Sequence, residues 1–326
     1  MDNKIESLRN NTDFTDDFID SSVDSSVDKK KRRKKRRKII LIIFGVILAI
    51  LVIFGVDLFV RINNMFNEIH EEVDTINLRE SDLVLGEDPF SILILGLDEG
   101  RSDTIMVATV NPNLGTTYLL SISRDTYVPI VGHGTSTRIN HAHAYGGVEA
   151  AVNTVQEFLN IPIDHFVTLQ MNGFGDLIDA VGGVRVYNDT LEFSDDGYHF
   201  PMGYNDLSGG AALAFVRMRY QDPDGDYGRQ QRQRQVLNAM VSELAGVEVV
   251  TRYQNVINAT GHHLRTDVAM DEMMSISLNY TASLRNIINL ELRGTGQNIR
   301  GMALQVVSEE DRIEMSQRLR THLELE

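Results

Sequence analysis

Residues 29–38, KKKRRKKRRK, are all basic, and residues 39–56, IILIIFGVILAILVIFGV, carry no polar side chain. A helix that is apolar on every side has no face to turn to water and needs a large core or a bilayer around it. At 1.5 Å per residue the run spans ~27 Å, close to the ~30 Å hydrocarbon core of a membrane. The basic decamer in front of it predicts a cytoplasmic N-terminus and an external C-terminal part. A cleaved secretory signal fits less well, because the n-region and h-region are too long and no small-residue cleavage site follows. The expected organisation therefore starts with a transmembrane signal-anchor helix over 39–60, with Asp57 at the outer interface. Residues 1–28 hold eight acids, two bases and no hydrophobic pattern, so 1–38 reads as a disordered cytoplasmic tail ending in the basic run. Abutting a span, that run acts as an orientation signal that also touches anionic membrane lipid.

Charge constrains the rest. After residue 60 the chain has 19 Lys and Arg against 37 Asp and Glu, a balance of −18. That surface repels a phosphate backbone and excludes a general nucleic-acid binder. The absence of cysteine excludes a disulfide scaffold, a thiolate zinc site and a cysteine nucleophile. Residues 61–88 are polar with scattered apolar positions and read as an extracellular stalk, and 89–326 as one extracellular domain.

Within that domain SILILGLD (91–98), TIMVATVN (104–111) and TTYLLSIS (116–123) read as three strands in close succession, a meander. Val148, Val152, Val155 and Leu159 share a helical face, as do Phe174, Leu177, Ile178 and Val181, with Gly182-Gly183 as a stop. IPIDHFVTLQ (161–170) reads as a strand, 210–219 as helix running into strand, 228–245 as a long helix, and 308–324 as a charged helix. Interleaved strands and helices predict an α/β class: a single α/β/α domain with a central mixed sheet. GTGQNIRG (294–301) has glycines without phosphate-loop spacing and reads as a turn. Tyr145, Phe166 and Phe174 read as core, and the His141-x-His143 pair, with no third ligand in view, as structural.

The chemistry-bearing residues are arginines and aspartates at strand ends. LGLDEGRSDT places Asp98, Arg101 and Asp103 in the loop between the first two strands. SISRDT puts Arg124 and Asp125 after the third, STRIN puts Arg138 in a loop, and FVRMRY offers Arg217 and Arg219. DYGRQQRQRQ adds Asp226, Arg229, Arg232 and Arg234, with Gln230 and Gln233 among them. In extended chain Arg217 and Arg219 project from one face, and paired guanidiniums need an anion between them. Arginine matches phosphate bidentately and keeps its charge. Carboxylates such as Asp98 and Asp103 among arginines point to a cation, and Mg²⁺ binds through one or two carboxylates plus phosphate oxygens. Together these are the parts of a phosphoryl-transfer site.

The segments ILILGLD…RSDTIMVATVNP, LLSISRDTYV, RINHAHAYGG, NTVQEFLNIPIDHFVTLQMNGFGDLIDAVGGVRV and ALAFVRMRY…DYGRQQRQRQVL resemble the LytR-CpsA-Psr family of cell-wall enzymes, in order and spacing, strongly over 88–246 and more weakly to about 325. The LytR-like subgroup, with members once labelled transcriptional attenuators, is the nearest. The resemblance implies an α/β/α domain with a tunnel for a polyprenyl tail. It implies Mg-assisted transfer of an anionic glycopolymer, teichoic acid or capsular polysaccharide, from undecaprenyl pyrophosphate to the 6-hydroxyl of N-acetylmuramic acid in peptidoglycan. By motif, Asp98 and Asp103 are implied to hold Mg²⁺. Arg101, Arg124, Arg217, Arg219, Arg229 and Gln233 are implied to bind the pyrophosphate, with Arg124, Arg217, Arg219 and Asp103 acting in catalysis. The loop from Asp98 to Asp103, EGRS, is shorter than in many members, and Ser123 stands where proline is common.

The competing readings are a membrane-bound regulatory protein and a wall-binding module without catalysis. The expected localisation is the cell membrane, as a single-pass type II protein with its C-terminal domain extracellular in a Gram-positive-type envelope. Protease added to intact protoplasts is expected to digest residues 61–326 and spare the N-terminal tail. Protection of the domain would place it in the cytoplasm and restore the regulator.

Overall fold

In the computed structural model of the chain, residues 69–325 are described, apart from residue 80, residue 262 and the stretch 245–260, in which residues 256 and 259 alone are described. All lie within the compact unit Ile62–Glu326. The tail and the expected span fall outside the described residues. Among the described residues no helix is long and apolar enough to cross a membrane.

The meander forms as expected. β1 (Phe90–Asp98), β2 (Arg101–Asn111) and β3 (Thr116–Ile122) pair antiparallel in sequence order. β6 (His165–Gln170) adds parallel to β1 and β12 (Ile287–Leu292) adds parallel to β3. β11 (Leu264–Thr266) closes one edge antiparallel to β6, giving the mixed order β11-β6-β1-β2-β3-β12. The remaining strands form two-stranded ribbons: β4 (Tyr127–Ile130) with β5 (Thr135–Arg138), β7 (Val184–Asn188) with β10 (Gly203–Leu207), β8 (Phe193–Asp195) with β9 (Tyr198–Phe200), and β13 (Thr295–Ile299) with β14 (Met302–Val306).

The central strands read as continuous apolar runs because both faces are covered. On one face Leu93, Leu95, Ile105, Val107 and Leu120 pack on α1 (His141–Leu159) and on Leu319 of α7 (Glu309–His322). On the other, Met106, Ala108 and Leu119 meet Leu237 of α4 (Asp226–Leu244). There Phe90 and Val110 also meet Tyr280, between α5 (Met270–Asn279) and α6 (Thr281–Arg285). This is the three-layer α/β/α arrangement. A second core joins α2 (Met171–Ala180) and α3 (Gly209–Arg217) to the β7–β10 and β8–β9 ribbons and to Val236 of α4.

Several expectations are corrected. β2 starts at Arg101, so Arg101 and Asp103 lie on a strand and the connecting loop is only Glu99-Gly100. The 210–219 segment is helical to Arg217 and does not continue as a strand, so Arg217 and Arg219 do not share one extended segment. GTGQNIRG is mostly the strand β13, with the turn only at Arg300-Gly301, both left-handed. The polar segment read as a stalk lies along the domain from Ile69 onward. Ile69 is buried, His70 bridges to Thr266, and the Arg79 guanidinium pairs with the buried carboxylate of Asp164. Tyr145, read as core, is exposed.

One buried ion pair fixes the turn that carries Arg217 and Arg219. Arg232, fully buried on α4, donates to the Phe215 carbonyl at 3.1 Å, the Met218 carbonyl at 2.5 Å and Asp222 Oδ2 at 2.5 Å. Its guanidinium also lies over the Phe193 ring at 5.4 Å. Residue 228 must be glycine here, because a Cβ would stand 2.0 Å from Asp222 Oδ2. Removing one partner of a buried pair strands the other charge at a cost of about 3–5 kcal/mol. Arg232→Met is therefore expected to destabilise the domain by about that amount in denaturant unfolding, with part recovered on adding Asp222→Leu. A loss below about 1 kcal/mol would show that the pair does not hold the turn.

Candidate active site

The site is built at the end of the sheet where β1, β2 and β3 finish or begin. Glu99 and Gly100 both have positive φ, +46° and +80°, the geometry of a type I′ hairpin turn. Gly96 then pairs with Thr104 and Leu97 with Ser102, which leaves Asp103 unpaired in a bulge. A bulge takes a residue out of the ladder and re-aims it. The Asp103 carboxylate accepts from Arg124 Nη1 at 2.7 Å and from Asn140 Nδ2 at 3.5 Å. Arg124 stands in the turn after β3, and Asn140 immediately precedes α1.

The opposite wall is the first turn of α4. Asp226 opens the helix, where the helix dipole favours an acid. Its neighbours at i+3 and i+4 turn to it. Arg229 Nη2 lies 2.6 Å from Oδ1, off the hydrogen-bonding direction, and Gln230 Nε2 donates to Oδ2 at 2.9 Å. Ser123 Oγ donates to the same Oδ2 at 3.4 Å. Arg229 is 8% exposed, and its Nε is buried with no acceptor among the described residues.

Electrostatics join the two walls. Burial opposes the charge on Arg124, but Asp103, then Asp226 and Asp125, outweigh it and raise its pKa. Burial lowers the pKa of Arg229. Asp226 and Asp103 act against that lowering, and Arg124 and Arg219 add to it. Arg124, Arg219 and Arg229 thus share one field with Asp103, Asp226 and, at its edge, Asp125, in a region that carries −18. A buried donor without an acceptor is costly until one is supplied, and beside two further guanidiniums an anion is the acceptor that the charges favour.

The other residues singled out from the sequence lie around this cluster. Arg219 is half-buried, its guanidinium 6.0 Å from the ring of the fully exposed Tyr220. Arg217 is exposed at the end of α3 and has no ion pair among the described residues. Arg101, also exposed, is close enough to His141 to help burial lower the histidine's pKa. Gln233 is half-buried on α4 without a hydrogen bond among the described residues. Asp98 ends β1, exposed, opposite Arg101 in the hairpin. His143 Nδ1 meets the Gly100 carbonyl at 3.0 Å and His141 Nδ1 meets Thr137 Oγ1 at 3.3 Å, so both histidines brace the site's edge.

Among the described residues no group of three or more His, Asp or Glu is placed to hold a metal. Asp98 and Asp103 lie at one end of the hairpin, Asp98 exposed and Asp103 bound by Arg124 and Asn140; hard carboxylates of this kind are the donor type that magnesium takes. Asp98 has no ion pair among the described residues.

Asp226, Asn140 and Ser123 are the parts that sequence reasoning left without a role. Asp226 was within reach, since an acid opening a helix with Arg and Gln at i+3 and i+4 is a readable pattern. Asn140 and Ser123 carry no such signal.

Comparison with known proteins gives the family. The LytR_cpsA_psr family model matches residues 54–321. An Enterococcus faecalis protein named polyisoprenyl-teichoic acid–peptidoglycan teichoic acid transferase TagU is 40% identical over 293 residues, 86% of this chain and 96% of that one. The Bacillus subtilis protein of the same name is 40% identical over 262 residues, 78% of this chain and 85% of its own. The crystal structure of B. subtilis TagU superposes with a TM-score of 0.63 at 38% identity, covering 74% of this chain and 99% of that one. A structure of TagT bound to LIIa-WTA gives 0.67 at 29% identity over 77% and 97%. With a family model over most of its length and relatives about 40% identical over most of both chains, the chain belongs to the LytR_cpsA_psr family.

Proposed function

We propose that the chain is a teichoic acid transferase that moves its polymer from a polyisoprenyl pyrophosphate carrier to peptidoglycan, at the outer face of the cell membrane. The observation that carries this reading is Arg229: buried, paired on one side only, and set beside Arg124 and Arg219. A pyrophosphate supplies the missing acceptors. The relatives' names give the substrate class, and about 40% identity across most of both chains supports carrying it over.

In this reading Arg124, Arg219 and Arg229 bind the pyrophosphate, with Arg101, Arg217 and Gln233 at its rim. The 6-hydroxyl oxygen of an N-acetylmuramic acid residue attacks the phosphorus that bears the polymer. The bond from that phosphorus to the bridging oxygen breaks, and the lipid monophosphate leaves with the extra negative charge. Arginines fixed by Asp103 and Asp226 neutralise that charge without reorganising, which is where such sites gain rate. A carboxylate of the cluster accepts the hydroxyl proton. Asp98 and Asp103 would hold Mg²⁺ together with phosphate oxygens, and the bound ion would offset charge on the departing phosphate. The signal-anchor at 39–60 and the basic run before it would keep the domain at the lipid surface where the carrier resides.

The regulator reading has little physical support, since a region at −18 repels DNA. The wall-binding reading assigns no anion to the cluster of Arg124, Arg219 and Arg229.

The test is a transfer assay with full-length protein, a short teichoic acid on polyprenyl pyrophosphate, and uncross-linked peptidoglycan oligomers, read by intact mass. Arg229→Ala is expected to lower kcat/KM by about 10²–10³-fold, as loss of one fixed transition-state donor does. Arg229→Lys should recover little, because a point charge cannot serve Asp226 and a phosphate together. Activity equal to wild type in Arg229→Ala would sink the reading. In the same assay chelation of divalent cations is expected to stop transfer and added Mg²⁺ to restore it. Undiminished transfer in chelator would remove the metal from the scheme.

A further inference from the structure

We propose that Tyr145, flanked by His133 and His141, is the platform on which a pyranose ring of the acceptor glycan stacks. The inference rests on the transferase reading and names the acceptor side of that site.

Three rings from two separate segments meet here. His133 comes from the turn between β4 and β5, and His141 and Tyr145 are one turn apart on α1. The Tyr145 ring lies 5.4 Å from that of His133, inclined by 43°, and 5.7 Å from that of His141, inclined by 53°. Yet Tyr145 is 48% exposed. It adds nothing to the core beneath α1, which is made by Ala142, Val148, Ala151 and Val152.

The backbone is bent at this place. Directly after Tyr145 the helix is broken by Gly146 (φ −144°, ψ 27°) and Gly147 (φ +65°, ψ −155°). Two glycines inside a helix cost about 1 kcal/mol each relative to alanine. His133 also uses the room they leave: a Cβ on Gly146 would stand 3.0 Å from its Nε2. The chain therefore gives up helix stability to hold an aromatic ring out of the core with an imidazole on each flank. An exposed aromatic face with polar rims suits a sugar, whose C–H face stacks on the ring while its hydroxyls and amides meet the imidazoles.

The position favours the acceptor over the donor. The Asp103–Arg124 pair stands between two flanks. On one, Arg124 feels Asp226, which holds Arg229 on α4, the side of the pyrophosphate arginines. On the other, Asp103 is met by Asn140, which leads into His141, His143 and Tyr145. A hydroxyl attacking phosphorus in line must come from the side away from the leaving lipid phosphate, and that flank is where the platform stands.

The experiment uses the full-length chain in lipid nanodiscs. Binding of soluble, uncross-linked peptidoglycan oligomers is followed by saturation-transfer NMR, and binding of the lipid-linked donor is measured separately. Tyr145→Ala is expected to weaken oligomer binding about tenfold, the scale of one lost aromatic stack, and Tyr145→Phe to keep it. Donor affinity should be unchanged in both. His133→Ala, a change on a different segment, should weaken oligomer binding in the same direction and guards against a fold defect in α1. Wild-type oligomer affinity in Tyr145→Ala, or no oligomer binding by wild type, overturns the proposal. A parallel loss of donor affinity moves Tyr145 to the donor site and equally overturns it. If oligomers bind through Tyr145 but no polymer is transferred, the platform stands and the transferase reading fails.

Discussion

The structure around the site hangs on the buried pair of Arg232 and Asp222. Each nitrogen of the Arg232 guanidinium donates to the end of α3 or to the turn after it, taking two carbonyls and a carboxylate. Arg217 ends α3 and Arg219 lies in the turn after it, and the helix that supplies Arg232 also supplies Arg229 one turn earlier and Asp226 at its start. One guanidinium thus sets the distance between two groups of arginines that would otherwise repel. A hydrophobic pair of similar volume would pack as well but would leave the Phe215 and Met218 carbonyls without donors. The ion pair is better understood as a positioning device than as a source of stability.

The same helix shows why charge alone does not mark function. Arg229 and Arg232 are three residues apart, both buried, and both have pKa values lowered by burial. Arg232 has its donors satisfied within the protein and is closed to any ligand. Arg229 has one carboxylate partner and a buried Nε with none among the described residues. Arg234 on the same helix is also buried, with an Nη1 unpartnered among the described residues, but its charged neighbours are Glu291 and Arg293. What sets Arg229 apart is an unfilled donor together with a place beside Arg124 and Arg219, and that is visible only with the fold in place.

Much of the fold was legible because its signals are local. The apolar runs of β1 to β3, the face of α1 and the glycine stop after α2 each follow from periodicity or from a residue with few conformations. What escaped depends on pairing. Arg101 and Asp103 were assigned to a loop because the polar sequence DEGRSD has no strand pattern. The hairpin nevertheless runs on to Asp98 and Arg101, and a bulge absorbs Asp103. The reading of 210–219 as helix running into strand puts Arg217 and Arg219 in extended chain, but Ala211, Ala212 and Phe215 pack as a helix in the second core and that helix runs to Arg217. The motifs single out Arg124, Arg219 and Arg229 together, and the fold brings them into one cluster. Asp226 has a readable spacing to Arg229 and Gln230, whereas Asn140 and Ser123 have none to betray them.

Tyr145 shows the same limit from the other side. An aromatic residue four positions after His141 and three before Val148 reads as core on any helical wheel. The two glycines that follow it are the contrary signal, since a helix meant only to pack would not interrupt itself there. In an α/β domain whose other long helix, α4, runs without such a break, a kink beside the site is a local departure from the most stable backbone. Departures of that kind persist where geometry is worth more than stability. A carboxylate bulged out of its ladder, an arginine left one partner short and a helix bent beneath an exposed tyrosine all lie within one end of one sheet. Each is unfavourable alone. Their common location is explained if one substrate, a phosphate flanked by sugars, completes all of them at once.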